Sequence, residues 1–288
     1  MAEYRIFADA ACDIPKETLR QWGVEMVDMT FRFTDEEQEH YNSETDVVDF
    51  YNQMRAGRCS RTAAINTAAF IDAFRPTLEQ GRDLLYVAFS SGGSTTYEQS
   101  LAAIAQLQPE FPDRKILSVD ALAYSAGLGL TVYLAAQKQQ AGATIEEVFR
   151  YVEDIRLHVC HWFTVDDLVY LKRGGRVSAT TALVGTMLGI KPVLHVDDAG
   201  HLVSVDKARS RRRSLKAMAD RFRETALDPA HGTIFIGHGD CREDADYLAG
   251  LVRKIAGRDV DLITYIGPVI GSHSGPGTAA LFFLGSKR

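Results

Sequence analysis

The stretch Asp83–Ser100, reading DLLYVAFSSGGSTTYEQS, constrains the fold of this chain more than any other. Its first half is a continuous apolar run bounded by polar residues, the pattern of a strand buried on both faces. Its second half is a Ser/Gly turn followed by a helix, expected from near Ser94 to about Gln108, with Leu101, Ile104, Ala105 and Leu107 as its apolar stripe. A strand, a glycine turn and a helix N-terminus point unpaired backbone N–H groups and hydroxyls into one small space. That arrangement suits an anion. Ser94 serves there as the cap of its own helix, as a ligand hydroxyl, or as both; the stretch alone leaves these roles open.

Around this unit the first half of the chain alternates strands with helices. Arg5–Ala8 is a short strand ending at Asp9, and Asp13-Ile14-Pro15 opens a helix. Val24–Phe33 alternates as one strand, Asp35–Glu39 reads as a solvated acidic loop, and Ser60-Arg61-Thr62 as a polar break. Lys115–Asp120 is another strand, Ser125 begins a helix, and Thr144-Ile145-Glu146-Glu147 forms a capping box for the next. This alternation implies a parallel, helix-covered sheet. Asp9, the Ser90–Ser94 turn and the Asp120–Ser125 turn then share the carboxyl rim of that sheet, where ligands bind in open α/β folds.

The second half is built differently, with Asp197-Asp198-Ala199-Gly200 as a hairpin turn and strands expected at Thr233–Gly237, Val260–Ile266 and Ala279–Leu284. We therefore expect an α/β protein of two α/β domains, residues 1–155 with a largely parallel sheet and residues 156–288 with a mixed one. A chain of 288 residues is long enough for both.

A net charge of -6 argues against nucleic acid as a partner. Met1–Phe7 lacks the apolar core of a signal peptide, and no apolar run approaches the ~18 residues of a membrane span, so the expected location is the cytoplasm. The four cysteines are scattered without a C-x-x-C pair, as reduced structural residues are.

The candidate chemistry is sparse. A hydrolase reading would use Ser94 as nucleophile and His273 as base, but Gly92-Gly93-Ser94-Thr95-Thr96 lacks the second glycine of G-x-S-x-G. Neither nucleotide-binding glycine motif occurs. His158-Val159-Cys160-His161 has donors at metal-like spacing but no second pair, so no metal is assigned. His273 sits among Gly275, Pro276 and Gly277, a composition read here as a loop, where functional residues gather. Arg209–Lys216 is the one basic cluster, either a solvated helix or a surface for an acidic partner.

Four motifs, in order, resemble the DegV family, which contains the fatty-acid-binding subunits of bacterial fatty-acid kinases. Asp9–Pro15 is similar to its D-S-x-x-D-L-P element, Ser90–Tyr97 to S-S-x-L-S-G-T-Y, Leu171–Ser178 to L-K-K-G-G-R-I-S, and Gly267–Gly277 to G-P-x-I-G-x-H-x-G-P-G. The resemblance implies a carrier, not an enzyme by itself. A long-chain fatty acid would lie in a tunnel between the domains, with no other cofactor, its carboxylate near Thr62, Ser94, Thr95 and His273 and with Arg176 lining the same region. It also implies a fatty-acid kinase as partner and allows transient membrane contact. The chain departs from the family pattern at Ala63-Ala64-Ile65-Asn66, at Thr95 in place of a glycine, and at Ala10 in place of a serine. The uncharged segment Thr180–Ile190 is a candidate tunnel wall or a plain core helix.

Overall fold

The computed structural model describes residues 4–177 and 190–288. Ser178 and all of Thr180–Ile190 except Ile190 lie outside the described residues.

The first half is built on a four-stranded sheet of β1 (Tyr4–Asp9), β2 (Val24–Val27), β6 (Asp83–Ala88) and β7 (Ile116–Asp120), in the order β2-β1-β6-β7. All its pairings are parallel, Phe7 facing Tyr86 across β1/β6 and Tyr86 facing Ser118 across β6/β7. Leu84 to Ala88 are completely buried, as a strand covered on both faces requires. The second half carries a six-stranded sheet. Its members are β8 (Val159–Thr164), β9 (Lys191–Val196), β10 (Leu202–Ala208), β11 (Ile234–His238), β12 (Leu262–Tyr265) and β13 (Ala279–Leu284). They lie in the order β10-β9-β8-β13-β11-β12. Only β11 and β12 pair in parallel, so this sheet is mixed. Two α/β domains result.

Between the sheets runs the helix Ser125–Gln140, which touches β6 on one side and β8, β11 and β13 on the other. Ten of its residues, Ser125 to Val132, Ala135 and Ala136, are buried, so it has no solvent stripe over most of its length. Small residues let the layers close on it. A Cβ at Gly127 would stand 2.2 Å from His161 Nε2, and one at Gly129 would stand 2.5 Å from Ile14. One apolar core consequently runs through both halves, from Phe7 and Leu85 to Phe163, Phe235 and Phe282.

Three expectations are corrected. Val24–Phe33 is two strands, β2 and then β3 (Thr30–Phe33), which leaves the parallel sheet. Asp28 makes the break, its carboxylate accepting from Met29 N at 2.8 Å and Ser43 N at 3.3 Å. Ser60-Arg61-Thr62 is strand β5, pairing with β3, which also pairs with β4 (His40–Tyr41) in a third, three-stranded sheet. Phe31, Phe33, Phe50, Tyr51 and Met54 form the small core beneath it. The region around His273 is a helix, Pro268–Ser274, with proline at its start and Gly275 just past its end. In addition, the acidic loop is tied down, since Arg58 pairs with Asp35 at 2.5 Å and Glu36 at 3.0 Å.

Candidate functional site

A cavity of ≈ 380 Å³ lies between the two sheets, within the ~300–1,000 Å³ of small-molecule pockets. Thr62, Ser94, Thr95, Arg176 and His273 all line it. Ala63, Ala64 and Thr95 are exposed, so this end faces solvent. The opposite end is closed by Ala11, His161, Phe163, Ala280 and Phe282, all buried. The cavity is thus polar at its mouth and mostly apolar in depth, with Ser125, His161, Ser274 and Thr278 as buried polar members of its lining.

Ser94 sits where β6 has left the parallel sheet and the helix Thr96–Leu107 begins. Its Oγ accepts from Thr96 N at 3.2 Å and shares a hydrogen bond with Thr96 Oγ1 at 2.9 Å. The serine therefore caps its own helix while lining the cavity. Thr95, the residue before that helix, contributes no side-chain cap.

Thr62 ends β5, and His273 lies in the last turn of Pro268–Ser274. Thr62 Oγ1 and His273 Nε2 are 2.8 Å apart. His273 Nδ1 is buried with no hydrogen-bond partner among the described residues. It packs against Gly174, where a Cβ would stand 2.2 Å away. An orphaned buried N–H is rarer than an under-satisfied acceptor, so the contacts among the described residues favour the tautomer with its hydrogen on Nε2, which then donates to Thr62. The threonine hydroxyl is then free to donate in turn. Burial, with a smaller contribution from Arg176, pushes the imidazole down to about 4, so it is neutral at neutral pH.

Arg176 follows the helix Val169–Arg173 through the turn Gly174-Gly175, where Gly175 has φ +70. Its Nε and Nη2 donate to Gly93 O at 3.2 and 3.0 Å, and Nη1 to Gly174 O at 2.5 Å. This places the guanidinium against the Ser90–Ser94 turn. Burial pushes it below its ordinary range, yet an arginine stays charged there. Among the described residues it has no carboxylate partner. A half-buried cation at the polar end of an apolar cavity favours an anion.

The second half roofs the first at this rim. Gly200 O, in the β9–β10 turn, accepts from Ser90 Oγ at 2.9 Å and Tyr124 OH at 2.7 Å. Gly92 and Gly93 allow this approach, since a Cβ on Gly92 would lie 2.4 Å from Gly200 O and one on Gly93 2.4 Å from Tyr124 OH. Sequence reading placed Gly174 and Tyr124 inside its motif and rim turn but gave neither a role of its own. The paired glycines of Lys172–Arg176 were the available signal for the first, but the role of Tyr124 depends on a contact 76 residues away.

The geometry does not assemble a hydrolytic triad. Ser94 Oγ bonds to Thr96, His273 Nε2 to Thr62, and no carboxylate meets His273 Nδ1 among the described residues. Nor do His158, Cys160 and His161 converge. His158 Nδ1 faces Gly285 O at 3.0 Å and Cys160 Sγ faces Lys287 O at 3.2 Å, while His161 Nδ1 bonds Val159 O at 2.8 Å and Nε2 accepts from Tyr124 N at 3.1 Å. Among the described residues no helix is long and apolar enough to cross a membrane.

Two α/β domains that enclose a cavity between their sheets define the class of fold. The family profile described as "Uncharacterised protein, DegV family" matches residues 3–286, and the chain belongs to that family. It is 42% identical over 290 residues to a DegV domain-containing protein of Clostridium perfringens, covering 100% of this chain and 99% of that one. Among solved structures it is similar to a DegV family protein of Thermus thermophilus described by its fatty acid binding, with a TM-score of 0.87, 26% identity and 98% and 99% coverage. A stearic-acid-binding protein of Eubacterium ventriosum superposes with a TM-score of 0.88 at 23% identity, covering 98% of each chain, a likeness of fold.

Proposed function

We propose that this protein binds a long-chain fatty acid, burying the tail in the inter-domain cavity and holding the carboxylate at its mouth. The observation that carries the reading is the group at that mouth: the Thr62–His273 pair and the Arg176 cation, which meets no carboxylate among the described residues, beside a largely apolar cavity. Thr62 donates its hydroxyl hydrogen, Ser94 offers a hydroxyl at a helix N-terminus, Thr95 rims the opening, and Arg176 supplies charge. The fatty-acid-binding relative of Thermus thermophilus supports the same ligand class.

The energetics divide the labour. Each buried methylene contributes ~0.8 kcal/mol, so a chain of a dozen or more supplies on the order of 10 kcal/mol before association costs. A head-group hydrogen bond to a charged oxygen adds ~1.5–3 kcal/mol. The tail sets affinity and the head sets orientation.

In this reading the protein is a carrier without catalysis of its own, and its partner is a fatty-acid kinase that phosphorylates the presented carboxylate. Organic extraction of purified protein and mass spectrometry test the ligand; near-stoichiometric fatty acid is expected. Delipidated protein with no saturable binding of any fatty acid would sink the proposal. Rapid labelling of Ser94 by a fluorophosphonate would favour a hydrolase instead.

A further inference from the structure

The motifs Asp9–Pro15 and Gly267–Gly277 stand at opposite ends of the chain, and the head-group site gives the first of them no part. In the fold they meet. The helix Pro268–Ser274 carries His273 in its last turn, while its own N-cap, Gly267, has no side chain to offer the first backbone N–H groups. Two N–H groups at this end, those of Gly267 and Val269, are satisfied from the other half of the chain. Asp13 Oδ1 accepts from Gly267 N at 2.9 Å, and Asn42 Oδ1 accepts from Val269 N at 2.9 Å.

The capping groups are themselves fixed. Asn42 Nδ2 donates to Ala10 O at 3.1 Å, and Asp13 Oδ2 accepts from Ser125 Oγ at 2.5 Å. Tyr51 OH donates to Ile266 O at 2.8 Å, and Thr264 Oγ1 donates to Asp13 O at 2.9 Å. Asp13 and Ser125 both hold left-handed backbone, φ 53 and φ 52, which non-glycine residues keep only where their surroundings impose it. Gly267 is needed for the approach, since a Cβ there would lie 2.8 Å from Asp13 Oδ1 and 3.0 Å from the Asn42 amide.

We infer that Asn42, with Asp13 and Tyr51, is a positioning residue for the head-group site, capping the His273 helix from the other half of the chain and so holding His273 within reach of Thr62. Thr62 and His273 belong to different halves of the chain and share one 2.8 Å bond. A seven-residue helix is short and stiff, about 10 Å long, so a displaced cap displaces the imidazole. The inference rests on the fatty-acid reading above.

The test uses full-length, delipidated Asn42→Ala and Tyr51→Phe proteins with palmitate and hexadecanol, which share a tail length and differ in the head group. Asn42→Ala should cut the preference for palmitate over hexadecanol by about fivefold, with hexadecanol affinity held within about twofold. The nitrogen NMR signals of the His273 ring should move away from the neutral, Nε2-protonated pattern. Tyr51→Phe keeps the ring in place and should shift both readouts the same way by less. If Asn42→Ala does not fold, Tyr51→Phe decides on the same measurements. Folded variants with preference and ring signals unmoved would overturn the inference. Wild-type protein that fails to bind palmitate would count against the fatty-acid reading, while the ring signals would still judge the positioning.

Discussion

Burial favours the uncharged forms of His273, Asp9 and Asp13 alike, but it moves the base down and the acids up the pH scale, and pH separates them. An unfolded histidine takes up its proton near 6.5, whereas burial delays His273 to about 4. Its contribution to stability is complete above 6.5 and is lost as pH falls through about 4. His273→Gln should therefore gain on wild type across that interval in a series of thermal melts; parallel curves would contradict a neutral, buried ring. Burial raises Asp9 to about 6 and Asp13 to about 7 from an ordinary 3.8. Stability contributed by their neutral forms is present below 3.8 and lost as pH rises through about 7. Asp13→Asn, whose Oδ1 can still accept from Gly267 N while its Nδ2 donates to Ser125 Oγ, should gain on wild type as pH rises towards 8, read by urea titration at each pH. At the mouth, Thr62→Val should weaken palmitate binding by ~1–3 kcal/mol. Ser94→Ala should weaken it too and also cost about 1 kcal/mol of stability, because that hydroxyl caps a helix. Equal melting temperatures for Ser94→Ala and wild type would deny the cap.

Two glycines in helices make opposite expectations. Gly127 touches His161 and Phe282, so Gly127→Ala should destabilise by about 1–3 kcal/mol through overpacking. Gly250 lies inside the helix Arg242–Ala256, where an added Cβ would meet nothing within 4 Å, so Gly250→Ala should stabilise by about 0.5–1 kcal/mol. Denaturant midpoints of the two variants should move apart; movement in one direction would refute the packing argument. The same local physics explains what could be read from sequence. The parallel sheet was legible because βα alternation and the buried run Leu84–Ala88 are local signals. The glycine turn of Ser90–Ser94 was legible for the same reason. Strand β5 was not, since three polar residues hold their shape only by pairing with β3. The His273 helix was obscured by its glycines and prolines, although Pro268 and Gly275 are the start and stop signals of a helix. The split between β2 and β3 escaped because apolar alternation continues through Asp28, whose turn is fixed by its own carboxylate and by Ser43.

At the scale of the whole molecule, the basic cluster is less free than its sequence suggests. Arg211 bonds Asp244 at 2.8 Å and Gly277 O at 2.5 Å, and Arg212 lies 4.0 Å over the Tyr247 ring. Arg209 and Arg213 are exposed and make no ion pair among the described residues. We expect charge reversal at Arg209 and Arg212 to slow acyl-phosphate formation by a cognate kinase without altering palmitate binding, since complementary charge steers transient encounters. A rate unchanged across a range of salt concentrations would leave the helix as ordinary surface. The helix Ser125–Gln140 has a different reach. Neither sheet alone covers it, so a fragment holding only one would carry an exposed apolar rod and a half-made interior. Two architectural domains then behave as a single cooperative foldon: calorimetry should record one unfolding transition, and separately expressed halves should aggregate or stay molten. A tail lodged in that seam would be bound by the native chain and not by the unfolded one. Loading would therefore raise the melting point of the entire chain, and the cell could hold empty and laden carriers at different abundances through proteolysis alone.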